Sequence, residues 1–204
     1  MSVNRTHCGN TGIILFDGEL VLARFPIKLV LSKTGKDDLQ SPTDGHLFFT
    51  SHRVLFLSSA VTSTLRSLSV PFYRMEVPTL TGSHLSMYAV TGTIQADRKG
   101  DLAHEFDYRM DFHPAVASTF VNVLTQTLEK VSEESVGRAE PKYDLPEGDP
   151  VPATNFSLKL PPQSIYSFPS DVGPGTVAAD VVYKTSTTPP YPGITSMLKP
   201  SSST

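Results

Sequence analysis

Large apolar and charged residues alternate along residues 104–112. Phe106, Tyr108, Met110 and Phe112 occupy every second position, and two aspartates and an arginine separate them. Successive side chains of a β-strand point to opposite faces, so this spacing places four large apolar groups on one face. The pattern therefore predicts a half-buried β-strand.

Shorter apolar runs upstream predict further strands, and two of them form a hairpin. Residues 46–49 and 54–57 are apolar runs joined through Thr50, Ser51 and His52, a length that is typical of hairpins. Further strands are predicted at residues 13–16, 20–24, 27–31, 68–73 and 87–96, and a turn at residues 98–101 leads into the alternating strand. The pattern is that of an antiparallel sheet of about seven strands.

A helix is predicted directly after the alternating strand. Pro114 suits the first helical turn, where a backbone N–H has no intrahelical partner. From there to about Val131 the apolar positions follow a period of about 3.6 residues. These positions are Val116, Phe120, Val123, Leu124, Leu128 and Val131.

Together these segments predict a mainly β domain with one C-terminal helix over residues 10–132. The expected architecture is a curled antiparallel sheet or barrel whose open end is capped by the helix, as in pleckstrin-homology-like domains. A domain of this size buries about two-thirds of the surface of its unfolded chain, which is enough for independent stability.

The composition changes in the remaining part of the chain, residues 133–204. Five of the 17 prolines lie before this part, and the other twelve lie within it. Its apolar residues are too sparse to offset about 1 to 2 kcal/mol of backbone entropy per ordered residue. We therefore predict a proline-rich, mostly disordered tail with extended polyproline-type pieces, and a short strand at residues 176–183 as the exception.

Charge and cysteine content narrow the classes of function. A formal net charge of -3 provides no overall field for nucleic acid or anionic membranes. The single cysteine, Cys8, excludes an internal disulfide. No secretory signal is evident, and no apolar run approaches the roughly 18 residues of a membrane helix. We expect a protein of the cytoplasm and nucleus.

Three segments of the predicted domain resemble a known family. Residues 45–58 read GHLFFTSHRVLFLS, residues 69–75 read SVPFYRM, and residues 88–96 read YAVTGTIQA. The first resembles the hairpin of GRAM domains, and the three in this order resemble the WW domain-binding protein 2 family. The resemblance covers about residues 13–131. It implies a GRAM-type, pleckstrin-homology-like fold and a non-enzymatic adaptor that binds WW-domain proteins or transcriptional regulators and acts as a transcriptional coactivator.

Family members bind WW domains through Pro-Pro-x-Tyr motifs in their tails. The nearest match here is Thr188, Pro189, Pro190 and Tyr191, with threonine in the place of the first proline. A WW domain receives proline rings in an aromatic groove and the tyrosine in a pocket. The missing ring is expected to weaken binding by roughly ten- to a hundredfold, since it removes stiffness and apolar contact. The alternative is that these residues form an ordinary proline-rich segment.

Pro141 and Tyr143 form a second, partial match to the same motif. Both lie in the predicted tail, nearer to the helix than the first match. They are secondary candidates for a WW-type binding site.

Anionic lipid is the alternative ligand. Lys28, Lys33, Lys36 and Arg53 are candidates for a basic patch at one end of the barrel, where pleckstrin-like domains often hold lipid head groups. Two adjacent aspartates, at positions 37 and 38, weaken such a field. The competing interpretation is an ordinary solvated surface.

No catalytic or metal chemistry is predicted. The six histidines show no metal-ligand spacing with one another or with the cysteine. The sequence contains no nucleophile elbow, phosphate loop or zinc-protease motif. We therefore expect no enzymatic activity, no cofactor and no sequence-specific contact with nucleic acid.

Overall fold

Two β-sheets and one α-helix make up the regular structure in the part of the chain that the computed structural model describes, residues 1–82, 87–97, 100–135, 146–157 and 164–198. In chain order the strands are β1 (Ser2–Val3), β2 (His7–Cys8), β3 (Gly12–Leu15), β4 (Val21–Ser32), β5 (Thr43–Thr50), β6 (Arg53–Ser58), β7 (Ser67–Pro71), β8 (Thr79–Thr81), β9 (Tyr88–Ile94), β10 (Phe106–Phe112), β11 (Val151–Pro152) and β12 (Val182–Lys184). The helix α1 spans Pro114–Ser135. Short 3-10 turns lie at Asp37–Leu39, Phe72–Arg74, Pro174–Thr176, Ala179–Val181 and Thr195–Leu198.

The larger sheet has eight strands in the order β1-β7-β6-β5-β4-β10-β9-β8, and every neighbouring pair is antiparallel. The smaller sheet has the order β11-β12-β3-β2, and β3 pairs with β12 in parallel. The predicted mainly β fold, with antiparallel strands followed by one helix, is confirmed.

The main core lies between one face of the larger sheet and α1. The four alternating apolar residues of β10 are all buried, as are the six apolar positions of the predicted helical stripe. Phe120 of α1 packs against Phe25, Phe49 and Phe112, with ring centroids between 4.6 and 6.2 Å apart. The periodicity of 3.6 in the helix and 2 in the strand therefore places each element's apolar face correctly.

The two strands predicted at residues 20–24 and 27–31 are one continuous strand, β4, which runs through Pro26. The N–H of Arg24 points away from β5 and donates to the carbonyl of Val172 at 2.8 Å. Pro26 lies two residues further on and therefore faces the same side, where β10 does not pair before Lys28. The missing N–H of proline removes no ladder hydrogen bond at such a position, so the strand continues.

The central hairpin is apolar on both faces. Phe48 of β5 and Leu55 and Leu57 of β6 point away from the main core and are buried in a second cluster. The members of this second cluster are Ile13, Leu15, Val21, Phe48, Leu55, Leu57, Ala153, Phe156, Val177 and Val182. The face of the hairpin that points away from the main core is thus covered by β3 and by residues from the last third of the chain.

The last third of the chain is more ordered in the structure than the sequence predicts. Residues 146–157 and 164–198 pack on the sheet, and Tyr166, Val172 and Ile194 belong to the main core. The prediction that the tail is mostly disordered is therefore wrong for these two segments. Their sparse apolar residues do not build a core alone, but they complete faces of the sheet that are otherwise exposed, and that burial offsets the entropy of ordering them. The strand predicted near residues 176–183 is present as β12, at its C-terminal end.

Two predictions for this region are not addressed by the structure. The division of the chain into domains at residues 132 and 133 stays a prediction. Pro141 and Tyr143, the secondary motif residues, lie outside the described residues.

Candidate functional site

The four motif residues lie together at the surface of the folded chain. Thr188 is exposed, and Pro189, Pro190 and Tyr191 are each partly buried. Residues 187–189 are in neither a helix, a strand nor a turn. The motif is thus presented on the outside of the molecule as part of an irregular segment between β12 and the last 3-10 turn.

Tyr191 is held by three residues that lie directly beside the ends of strands β5, β6 and β7, and that we call the aromatic docking site: His52, Phe72 and Tyr73. The ring of Tyr191 meets the rings of Tyr73 and His52 edge to face, with centroids 5.1 and 5.7 Å apart and interplanar angles of 88° and 75°. The backbone N–H of Phe72 donates to the Tyr191 hydroxyl at 3.3 Å. Edge-to-face ring pairs contribute about 0.5–1.5 kcal/mol each beyond the area that they bury.

His52 is positioned by the turn between β5 and β6. The Thr50 hydroxyl oxygen accepts from the backbone N–H groups of His52 and Arg53 at 3.2 and 3.0 Å, which fixes the turn. The Ser51 hydroxyl lies 2.8 Å from Nδ1 of His52 and also accepts from the backbone N–H of Leu20. The imidazole is therefore fixed in place and only 3% exposed.

Tyr73 is positioned by the end of β7. Pro71 is extended, with φ -67° and ψ 146°, and the next three residues form a 3-10 turn. Phe72 points inward, is fully buried and packs on Phe49 at a centroid distance of 5.2 Å. The neighbouring Tyr73 is consequently turned outward, where it is only partly buried and meets Tyr191.

The residues after Tyr191 attach the segment to the core. The N–H of Ile194 donates to the carbonyl of Ser51 at 2.8 Å, and the Ile194 side chain is fully buried. Gly193, which precedes Ile194 in the chain, has its backbone in the left-handed region, with φ +57°. Glycine is favoured there because other residues place a Cβ too close to the backbone. The sequence reasoning missed Gly193 and Ile194, although a Pro-Gly-Ile step after the motif is a signal for a turn followed by a buried residue.

His52 is expected to stay neutral in the folded chain at pH 7. Burial lowers its pKa below the ordinary 6.5, and the positive charge of Arg53 adds to this, while Glu19 opposes it. The unfolded chain therefore binds this proton more readily, so the stability that the neutral ring contributes is complete above pH 6.5 and is lost as the pH falls below it.

An NMR titration of the His52 ring proton is expected to show a midpoint below 6.5. A midpoint at or above that of the same histidine in urea-unfolded chain would contradict this.

The prediction that Arg53 binds lipid is wrong, because this residue is fully buried. Its Nε and Nη2 donate to the two carboxylate oxygens of Glu19 at 2.9 and 2.8 Å. The guanidinium also donates to the Ser69 hydroxyl and the Ile14 carbonyl, and it lies 4.2 Å from the centre of the Phe16 ring. A charge at a hairpin resembles a surface charge in sequence, but both faces of β6 are buried, so the arginine is enclosed with its partner.

The three lysines of the predicted basic patch are exposed, and two of them lie beside carboxylates. Lys33 Nζ is 2.7 Å from a carboxylate oxygen of Asp107, and Lys28 Nζ is 3.8 Å from Asp44. Lys36 is exposed in the loop after β4. The nearby carboxylates offset much of the positive potential. Binding of anionic lipid by these lysines stays a prediction.

Neither a metal site nor a membrane span is found in the described part of the chain. No three of its histidine, cysteine, aspartate and glutamate side chains are grouped so that they could hold a metal ion. Of the helical segments in residues 1–82, 87–97, 100–135, 146–157 and 164–198, none combines the length and the apolar character needed to cross a membrane.

Comparison with known proteins finds similarity in sequence to a curated protein and similarity in shape to solved structures. No family model matches the chain. The human postacrosomal sheath WW domain-binding protein is 27% identical over 131 residues, which cover 62% of this chain and 42% of that protein. The chain thus spans less than half of its relative's length. The relative's name states that it binds WW domains.

Solved pleckstrin-homology domains are among the structures to which the chain is similar. The Vps36 N-terminal PH domain is 16% identical, with a TM-score of 0.47 over 65% of this chain and 95% of that chain. The Slm1 PH domain in complex with D-myo-inositol-4-phosphate is 10% identical, with a TM-score of 0.30 over 52% of this chain and 94% of that chain.

Proposed function

We propose that the chain is a non-enzymatic adaptor, in which a GRAM-type domain carries a binding segment for WW domains at residues 188–191. The observation that supports this most is the position of the segment at the surface, in an irregular conformation with Thr188 exposed. A WW domain binds proline rings in an extended, polyproline-type backbone and anchors a tyrosine next to them. The sequence similarity to a protein named for WW-domain binding agrees with this proposal.

Tyr191 is the anchor in this proposal, and its removal is expected to abolish most of the affinity. The test is a calorimetric titration of a peptide of residues 184–197 into a WW domain that recognises Pro-Pro-x-Tyr. Tyr191→Ala is expected to weaken binding at least about thirtyfold, since a buried aromatic anchor contributes about 2 kcal/mol or more. Ser186→Ala, which lies outside the motif, is the matched control and is expected to bind like the wild type. Equal affinities for the Tyr191→Ala and wild-type peptides would end the proposal.

Thr188 provides the complementary test in the same peptide. Thr188→Pro restores the first proline ring of the motif and is expected to strengthen binding by roughly ten- to a hundredfold, because it adds apolar contact and stiffens the backbone. No gain in affinity would show that the segment does not bind as a Pro-Pro-x-Tyr ligand.

Other roles of the chain remain predictions. They are a transcriptional coactivator activity, residence in the cytoplasm and nucleus, and association with transcriptional regulators other than WW-domain proteins. The coactivator activity and the association with regulators belong to the adaptor class of function, since each acts by bringing proteins together rather than by catalysis.

A further inference from the structure

The motif is held at both of its ends. On the N-terminal side the carbonyl of Thr187 accepts from the backbone N–H of Asp17 at 2.9 Å, and the Thr187 hydroxyl is hydrogen-bonded to the backbone of Glu147. On the C-terminal side Ile194 is fully buried and bonded to Ser51. The motif residues therefore span a short bridge between two fixed points and have little freedom to move away from the sheet.

The tyrosine ring is occupied by the protein's own residues. Two edge-to-face contacts, from His52 and Tyr73, and a hydrogen bond to its hydroxyl already use the groups that a WW domain would contact. A WW domain encloses the tyrosine in a pocket of its own and places aromatic rings against the prolines. The two modes of binding exclude each other because both require the same ring.

We propose that the aromatic docking site competes with WW domains for Tyr191. The intact chain then binds a WW domain only after residues 188–194 have detached from this site. This inference rests on the proposed function. The apparent affinity of the intact chain is the affinity of the free segment multiplied by the fraction of chains in which the segment has left. If that fraction is about one per cent, binding is weakened about a hundredfold.

Gly193 offers a way to release the segment without changing the motif. Its φ of +57° lies in a region that alanine rarely adopts, and a Cβ at this position would overlap the Ser51 carbonyl oxygen and lie 2.6 Å from the His52 ring. Gly193→Ala is therefore expected to displace Ile194 and Tyr191 from the sheet. Gly175→Ala is the matched control, since no atom lies within 4 Å of the position that its Cβ would occupy.

The first measurement compares WW-domain binding by three species: the peptide of residues 184–197, the intact chain and intact Gly193→Ala. The intact chain is expected to bind at least about tenfold more weakly than the peptide, and Gly193→Ala to recover to within about threefold of it. A peptide that carries Gly193→Ala is expected to bind like the wild-type peptide, and intact Gly175→Ala like the intact wild type. If the intact chain and the peptide bind equally well, the competition is overturned while the proposed function stands. If the peptide itself does not bind, the proposed function fails, and the competition fails with it.

The second measurement follows docking without a WW domain. Hydrogen exchange of the Ile194 amide is expected to be slow in the wild type, because this N–H is bonded to Ser51 beneath a buried side chain. Gly193→Ala is expected to speed it at least about tenfold while the amides of β5 and β6 stay protected. Fast exchange at Ile194 in the wild type would overturn the proposal. If Gly193→Ala unfolds the sheet as well, the comparison of the wild-type chain with the peptide still decides it.

Discussion

Replacing Arg53 by alanine is expected to lower the free energy of unfolding by about 3 to 5 kcal/mol, the usual effect of removing one partner of a buried ion pair. The reason is the carboxylate that remains. Glu19 and Arg53 each have 0% side-chain exposure, and the arginine donates to both carboxylate oxygens. Without it, Glu19 keeps two uncharged donors, the Thr50 hydroxyl at 2.6 Å and the backbone N–H of Phe16 at 2.8 Å, while the carboxylate charge that the guanidinium offsets stays buried. Urea denaturation followed by circular dichroism measures the effect.

An exposed ion pair on the same sheet provides the control for Arg53. Arg109 Nε lies 2.8 Å from Asp111, but the arginine side chain is 56% exposed. Arg109→Ala is therefore expected to change the free energy of unfolding by less than about 1 kcal/mol. If Arg53→Ala and Arg109→Ala had similar effects, the buried pair would not have the structural role assigned to it.

The buried ion pair of Glu19 and Arg53 also predicts how the stability of the folded chain changes in acid. Burial alone would raise the pKa of Glu19, but the charge and hydrogen bonds of Arg53 outweigh it and hold this pKa below the ordinary value of 4.5. A lowered acid pKa gives stability that is present above the unfolded pKa and is lost as the pH falls through the folded pKa. In Arg53→Ala only burial and weaker contacts remain, so the pKa of Glu19 is expected to rise. The variant should accordingly unfold at higher pH than the wild type.

Phe120→Ala is expected to cost a similar amount, about 3 to 5 kcal/mol, because it leaves a cavity where the helix meets the sheet. The ring is fully buried, stacks on Phe112 at 4.6 Å and meets Phe25 edge to face at 5.3 Å. Chemical denaturation of the variant measures the loss. Asn122→Ala, an exposed position on the same helix, is the control and is expected to change stability by less than about 0.5 kcal/mol. A loss below about 1 kcal/mol for Phe120→Ala would show that the helix is not packed on the sheet as described.

The elements that the sequence predicts well are those with a regular period. The strand at residues 106–112 and the helix from Pro114 have strong alternation or a clear apolar stripe, and both are found where predicted. Local side-chain spacing decides these cases, because each element buries one face against a single core. Pro26 is an exception to this rule. Whether a proline interrupts a strand depends on whether a neighbouring strand needs its N–H at that position, and local spacing does not show this.

The packing of the last third of the chain could not be predicted in this way. Phe156, Val177 and Val182 lie in short apolar stretches of the sequence, and their burial depends on the face of β5 and β6 that points away from the main core. The indication was in the hairpin itself, where apolar residues occupy consecutive positions at 47–49 and 54–57. Continuous apolar strands of this kind are typical of sheets that are covered on both sides.

The motif itself was visible in the sequence, but its surroundings were not. Pro189, Pro190 and Tyr191 were identified from their order alone, whereas the contacts of Tyr191 with His52 and Tyr73 join residues that lie more than a hundred positions apart in the chain. No local pattern encodes such a contact. It follows from the end of β7 and the β5–β6 turn lying side by side at one edge of the fold.

The parallel pairing of β3 with β12 has a consequence for biosynthesis. Residues 13–15 are synthesised more than 160 residues before their partners at 182–184. Contacts between such distant segments form slowly, since a long loop must close before they contribute. Ile13 and Leu15 therefore remain without this partner strand while the residues between the two strands are synthesised. A nascent chain that stalls before residue 182 is expected to be a chaperone client.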